Sequence, residues 1–276
     1  MNKNKKLMIA ALVVALGGAS AVGQTDREEG TPEQREMENY LRKAGVVSVL
    51  HGVETGRGQA WRVSLELGSD RRSGFFKYVD FARPRIPVMS YRYERAAYAL
   101  TKLLGIDIVP PGVERTIEGK KGWLQIRVEG CFSGKEQRQK KELKPPDPAA
   151  FENSLEEVNV FENLTYCERS NAADLLIHES DWRVCRVDFA EAFEPVPDLL
   201  PSGPIRRCSR RLFQALLDLR PSEVQIRLDG DLNKAEMTGL LERRDRILDR
   251  LRVLIKEKGE SAVIFEKAPP KRTEKK

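Results

Sequence analysis

The chain has 276 residues, of which 33% are charged and 40% hydrophobic, so it can bury a substantial core as one large domain or two lobes. Its 48 basic residues face 42 acidic ones, giving a formal charge of +6 and a pI near 9.1. This modest excess does not indicate nucleic-acid binding, and the sequence contains no zinc-finger spacing, aromatic-basic stacking motif or helix-turn-helix pattern.

Residues 1–21 have the layout of a secretory signal peptide. Three lysines precede the apolar run Leu7–Leu16, and Ala19-Ser20-Ala21 then supplies a cleavage site. The apolar run is shorter than the roughly 20 residues that a spanning helix needs, which favours cleavage over an uncleaved anchor. We therefore expect an exported protein, periplasmic or extracellular, with no membrane span after cleavage. A mature N-terminus beginning just after Ala21 in N-terminal sequencing would confirm this; a retained Met1 in a cytoplasmic fraction would contradict it.

Export changes the interpretation of the four cysteines. An oxidising compartment allows disulfides, and the alternative is four small buried thiols. No C-x-x-C pair is present, so a zinc site is not indicated. The cysteines concerned are Cys131, Cys167, Cys185 and Cys208.

Residues 22–45 are predicted to form a flexible leader and a short charged helix. Thr31 suits the N-cap of a helix over Pro32–Lys43, and Pro32 suits its first position, where a missing N–H costs nothing.

The next segment is rich in predicted strands. Residues 46–50 and 61–67 are strand-like, and Gly52–Gly58 between them is either an ordinary hairpin turn or a loop that covers phosphates. A third strand over residues 74–79 carries Lys77, which is either solvated or a phosphate ligand.

A helix is predicted over Tyr91–Leu104 from its apolar face, with Gly105 as the residue that ends it. Glu94 lies in its first turn, where a carboxylate suits the positive end of the helix dipole. Residues 113–117 and 123–128 are expected to pair around a turn at Gly119–Gly122.

Residues 133–153 are charged and proline-containing, which predicts a flexible linker. Ser154 with Glu157 is expected to form a capping box that opens the next helix. That helix runs into a polar turn, Cys167 to Asp174, and then a hairpin of residues 175–177 and 184–187. The second strand ends at Asp188, and this layout is how kinase-like folds present metal ligands to a phosphate.

Towards the C-terminus, the arginine cluster of residues 206–211 is either an anion site or the wet side of a helix over 212–219. Asn233 and Glu236 cap a predicted long helix over residues 234–258. Residues 266–276 are basic and are predicted to be a disordered tail.

These motifs resemble a group of bacterial kinase-like proteins related in fold to phosphatidylinositol 3-/4-kinases and to secretory-pathway kinases. The segment Leu104–Arg115 matches that group closely. Further matches lie within residues 161–193, namely Phe161, Asn163, Leu164, Tyr166, Asn171, Leu176, Ile177, Asp181, Trp182, Asp188, Ala192 and Phe193.

The resemblance implies an α+β, bilobal protein-kinase-like fold, with a β-rich N-lobe over residues 46–132 and a mostly helical C-lobe over residues 154–265. It also implies an ATP and Mg²⁺ site. Lys77 would reach the phosphates and pair with Glu94, and Gln125 would lie on the strand that leads to the adenine. Asp174 and Asp188 would hold the metal.

The sequence departs from the family's pattern at the position of the catalytic base. Without gaps, Arg169 stands in the base position, and an arginine cannot accept a proton. A one-residue shift makes Glu168 the candidate base.

We therefore predict an exported kinase-like protein with weak or no phosphotransfer that acts as a monomeric binding module for an unknown protein or small molecule. The alternative is a divergent ATP- and Mg²⁺-dependent kinase acting on a protein, a lipid or a small alcohol. A basic surface-binding protein unrelated to kinases would require the motif matches to be coincidental.

Overall fold

The computed structural model describes residues 30–55, 58–85, 88–140, 143–167 and 172–267. The predicted signal peptide, the candidate base Glu168 and the tail from residue 268 onwards lie outside these ranges. Among the described residues, none of the helices combines the length and apolarity that a bilayer crossing needs.

The N-terminal part is an antiparallel five-stranded sheet with two helices. Helix α1, Pro32–Lys43, has the predicted Thr31 cap and precedes the sheet. The strands of the sheet are β1 Gly45–Thr55, β2 Gly58–Leu67, β3 Asp70–Lys77, β6 Gly112–Ile117 and β7 Lys120–Ile126, and their order is β1-β2-β3-β7-β6. A small antiparallel pair, β4 Asp80–Phe81 and β5 Met89–Ser90, precedes helix α2, Tyr91–Leu104.

Helix α1 packs on one face of this sheet. Alternate residues of β2 (Trp61, Val63 and Leu65) form a hydrophobic cluster with Phe76 of β3 and with Tyr40 and Leu41 of α1. Glu38 of α1 also accepts hydrogen bonds from Tyr98 Oη (2.8 Å) and Lys102 Nζ (2.9 Å) of α2. Lys77, next to Phe76 on β3, therefore lies on the opposite face of the sheet, where it pairs with Asp188 of the C-terminal half.

The C-terminal part is mostly helical. It contains a three-stranded sheet of order β10-β9-β8 and a parallel pair, β11 with β12. Its elements are β8 Cys131–Ser133, α3 Gly134–Gln139, α4 Pro148–Thr165, β9 Leu175–His178, β10 Val184–Arg186, β11 Cys208–Ser209, α5 Arg210–Asp218, α6 Pro221–Leu228, α7 Lys234–Lys258, α8 Glu260–Val263 and β12 Ile264–Phe265.

The larger hydrophobic cluster spans both halves. It joins α2 residues such as Leu100 and Leu104 to Phe161 of α4 and to Leu240 and Leu251 of α7. Helix α2 is therefore packed into the core of the C-terminal half rather than held by the sheet alone. Its end is as predicted, because Gly105 adopts the left-handed conformation (φ 63°) that glycine tolerates best.

The predicted start of helix α4 was wrong. The helix begins at Pro148, where Asp147 accepts a hydrogen bond from Ala150 N. An Asp cap followed by proline is a strong local start signal, and Ser154 lies inside the helix with its hydroxyl donating to Ala150 O. The predicted linker over residues 133–153 thus includes the short helix α3 and the first turns of α4.

Two other local predictions need correction. The β6–β7 turn lies at Glu118 and Gly119, both with positive φ as in a type I′ hairpin turn, so Lys120 and Lys121 belong to the strand. Helix α6 was not predicted, although Pro221 stands at its first position. The first two residues of the predicted tail lie within the described range: Glu266 pairs with Arg210, and Lys267 pairs with Glu157.

The four cysteines are unpaired thiols in the described part of the chain. Burial raises the pKa of Cys167 and of Cys185 to about 12. A protonated thiol is a poor nucleophile, so these two side chains act as small apolar groups.

Candidate functional site

A lysine between two carboxylates forms the centre of the cleft. Lys77 Nζ lies 2.6 Å from Glu94 Oε1 and 2.7 Å from Asp188 Oδ1. The side chains of Lys77, Glu94 and Asp188 are 14%, 1% and 18% exposed. The structure therefore joins three of the residues that the sequence singled out, and Asp188 is the most accessible carboxylate among them.

Each member of this cluster is delivered by the end of an element. Lys77 is the last residue of β3, and its neighbour Phe76 points to the opposite face, into the cluster under α1. Glu94 lies in the first turn of α2, which Ser90 caps. Asp188 follows β10 and has φ 69°, a left-handed conformation that is uncommon for a non-glycine residue and frequent at functional sites.

Glu94 also fixes the segment that carries Asp188. Its Oε1 accepts a hydrogen bond from Phe189 N at 3.1 Å. One carboxylate oxygen therefore holds both the lysine of the sheet and the backbone that follows Asp188. This shared anchor holds the three residues together once the fold has brought them near, although 111 positions separate Lys77 from Asp188.

The charges of the cluster do not balance. Burial alone would lower the pKa of Lys77, but Glu94 and Asp188 outweigh it and hold this pKa well above its ordinary value. Burial raises the pKa of Glu94, against the attraction of Lys77. When both carboxyl groups are ionised, they share one ammonium group, and a further cation would relieve the negative excess.

The donor set fits a divalent cation bound together with phosphate. Glu94 Oε2 is buried with no hydrogen-bond partner among the described residues. No three His, Cys, Asp or Glu side chains converge as a metal site within those ranges. A Mg²⁺ ion that binds with a nucleotide needs only one or two protein carboxylates, because phosphates and waters supply the rest. Asp188 would hold such an ion, with Lys77 beside the phosphates.

The second predicted ligand, Asp174, lies near Asp188 but faces a fixed cation. It precedes β9, and its backbone oxygen accepts from Val187 N at 3.0 Å. Its Oδ2 lies 3.7 Å from Arg186 Nη1. Arg186 is only 1% exposed, and its Nε also donates to Glu162 Oε1 at 2.7 Å.

Gln125 is placed differently from the other predicted residues. It is on β7, opposite Phe75 of β3, and is 8% exposed. Its Nε2 donates to Pro110 O at 3.1 Å. The amide group therefore holds the double-proline segment that follows α2.

A set of polar contacts, not expected from the sequence, ties α2 to the C-terminal half. Tyr93 Oη donates to Glu236 Oε1 (2.5 Å), and Arg95 Nε donates to Asp231 Oδ1 (2.6 Å). Arg83, just before α2, lies 3.0 Å from Glu194 and 3.3 Å from Glu236. These contacts fix the helix that carries Glu94, so the Lys77–Glu94 pair is held from both halves of the protein.

A buried arginine on α7 supports the loops beneath the cleft. Arg243 is fully buried; its Nε donates to Leu164 O (3.0 Å), and its Nη1 donates to Glu194 O (2.7 Å) and Val196 O (2.5 Å). It thus links the end of α4 to the segment that follows Asp188. In the sequence, Arg243 belongs to the run of alternating charges from Glu242 to Arg250, a pattern typical of an exposed helix face, so its burial was not expected.

This two-part architecture, with a strand lysine paired to a helix glutamate and an acidic residue after a small hairpin, is a protein-kinase-like fold. No family model matches the chain, and no curated protein matches it in sequence.

Solved structures with the same fold support this class. The chain is similar to the structure of hydra Fam20 with sugar, with a TM-score of 0.64 and 16% identity, over 94% of this chain and 97% of that one. It is also similar to the Helicobacter pylori proinflammatory kinase CtkA, with a TM-score of 0.50 and 10% identity, over 76% of this chain and 96% of that one. At these identities the similarity shows the fold.

Proposed function

We propose that the cleft binds a nucleoside triphosphate such as ATP together with a divalent cation, that phosphotransfer is weak or absent, and that the protein serves as an exported binding module. The observation that carries nucleotide binding is the position of Lys77, within 2.7 Å of both Glu94 and Asp188. Phosphoryl-transfer sites depend on such a lysine and on an acidic metal ligand beside it.

Two features support weak transfer. The base position aligns with Arg169, and the candidate replacement, Glu168, requires a shifted loop. Loss of a general base typically costs ~10²–10⁴-fold in rate. Asp174, the second predicted metal ligand, faces the buried guanidinium of Arg186.

The second candidate function is a divergent kinase, and the completeness of the Lys77–Glu94–Asp188 cluster favours it. Its acceptor would be a hydroxyl of a protein, a lipid or a small alcohol. The sugar in the hydra Fam20 structure makes sugars a reasonable first group of acceptors to assay.

Thermal unfolding with nucleotide tests the proposal first. We expect ATP with Mg²⁺ or Mn²⁺ to raise the melting temperature, because a ligand at 100 times its Kd adds about 2.7 kcal/mol of stability. That corresponds to roughly 5–10 °C for a domain of this size. Chelation of the metal and the Asp188→Asn variant should both abolish the shift. An unchanged melting temperature at millimolar ATP and Mg²⁺ would refute nucleotide binding.

Phosphate release separates the two candidates. Release or transfer from ATP no greater than that of Asp188→Asn supports the binding module. Transfer to any acceptor that is lost in Asp188→Asn would instead establish the divergent kinase.

A further inference from the structure

Arg186 lies beside Asp174, one of the two predicted metal ligands. It is the last residue of β10, two positions before Asp188, and its side chain is 1% exposed. Its guanidinium lies 2.7 Å from Glu162 Oε1 and 3.7 Å from Asp174 Oδ2. A permanent positive charge therefore lies beside Asp174, one of the two predicted metal ligands.

This guanidinium is held in place on every side. Its Nη1 donates to Asp174 O at 3.2 Å and to Val187 O, and its Nη2 lies 3.5 Å from Cys167 Sγ. The Cζ atom of Arg186 lies 5.5 Å from the centre of the Phe189 ring. A guanidinium is not deprotonated in proteins, so Arg186 stays charged. Its hydrogen bonds to Glu162 and Asp174 and its burial fix the position of that charge.

The two aspartates consequently differ. Asp188 is 18% exposed, and the cation beside it is the ammonium group of a flexible lysine, which can exchange a carboxylate for a phosphate. Asp174 is 8% exposed, and the cation beside it is the fixed guanidinium. A divalent ion on Asp174 would be repelled at close range by a charge that cannot withdraw.

We propose that the cleft holds a single divalent cation with the nucleotide, on Asp188, and that Arg186 supplies the second positive charge in place of a second ion. The proposal rests on the proposed nucleotide binding. Asp174 then serves to hold Arg186 and the turn before β9 instead of ligating metal.

Counting Mn²⁺ per bound nucleotide by equilibrium dialysis against a non-hydrolysable ATP analogue tests this. We expect one Mn²⁺ for each nucleotide in the wild-type protein, still one in Asp174→Asn, and no binding in Asp188→Asn. In Arg186→Met combined with Glu162→Gln, which removes both partners of the buried pair, the count should rise to two. Arg183→Met, on the same hairpin but half-exposed and paired with Asp181, should leave it at one.

The outcomes separate the two proposals. Two Mn²⁺ per nucleotide in the wild-type protein would overturn the single-ion site but leave nucleotide binding standing, and so would a loss of Mn²⁺ in Asp174→Asn. A wild-type protein that retains neither Mn²⁺ nor nucleotide would overturn both. If the double variant folds by circular dichroism and still binds one ion, Arg186 is not the residue that excludes the second. If it does not fold, the numbers of Mn²⁺ ions bound per nucleotide by the wild-type protein and by Asp174→Asn decide whether the site holds a single ion.

Discussion

Replacing Lys77 with methionine is expected to abolish nucleotide-dependent stabilisation and to lower the free energy of unfolding by about 3–5 kcal/mol. Methionine keeps the length of the side chain but leaves Glu94, 1% exposed, and Asp188, 18% exposed, without their shared cation. Breaking a buried ion pair on one side is costly because an uncompensated charge remains buried. Denaturant unfolding, with and without ATP and Mg²⁺, measures both effects.

The loss of unfolding free energy in Lys77→Met should also depend on pH. Burial already raises the pKa of Glu94, and without the ammonium group this pKa rises further above its value in the unfolded chain. An acid with a raised pKa in the folded state binds more protons there, so its contribution favours folding below the unfolded pKa and is lost as pH rises through the folded pKa. The stability gap between wild type and Lys77→Met should therefore be wider at pH 8 than at pH 5.

Two controls make this result specific. Adding Glu94→Gln to Lys77→Met should recover part of the stability but none of the nucleotide response, because it removes the buried charge without restoring the phosphate ligand. Lys121→Met removes an exposed lysine paired with Glu114 and should change neither property. A Lys77→Met protein as stable and as responsive to ATP as the wild type would show that the cluster is not a nucleotide site.

Replacing Arg243 with methionine is expected to destabilise the protein by about 3 kcal/mol, or roughly 1 kcal/mol for each of three carbonyl groups that lose their donor. Those carbonyls belong to Leu164, Glu194 and Val196. Burial lowers the pKa of Arg243 to about 10. Its expected contribution to stability is the set of hydrogen bonds that it donates to the end of α4 and to the loop that contains Glu194 and Val196.

Arg246→Met is the matched control for Arg243→Met. Arg246 lies on the same helix and reaches the same loop, where it pairs with Asp198, but both side chains are at least half exposed. Exposed ion pairs contribute little, so this variant should unfold close to wild type. Equal melting temperatures for the two variants in differential scanning calorimetry would contradict the role given to Arg243.

The sequence predicted elements whose signals are local. Helix α1 has its cap and proline within two adjacent residues, and α2 ends at a glycine that can adopt a left-handed conformation. The hairpin of β9 and β10 formed as predicted because its strands are close in the chain. Where two start signals competed, the stronger one was missed, and α4 began at Asp147 and Pro148 rather than at Ser154.

By itself, the sequence identified three residues of the candidate site, namely the strand lysine, the helix glutamate and the acidic residue after a hairpin, through a resemblance to known kinase-like proteins. Only the tertiary structure decided what surrounds them. Arg186 meets Glu162 across 24 positions, Arg243 meets Leu164 across 79, and Arg83 meets Glu236 across 153. Such partners leave no periodic trace in a chain, because the folding of the whole core, not any local propensity, brings them within hydrogen-bonding distance.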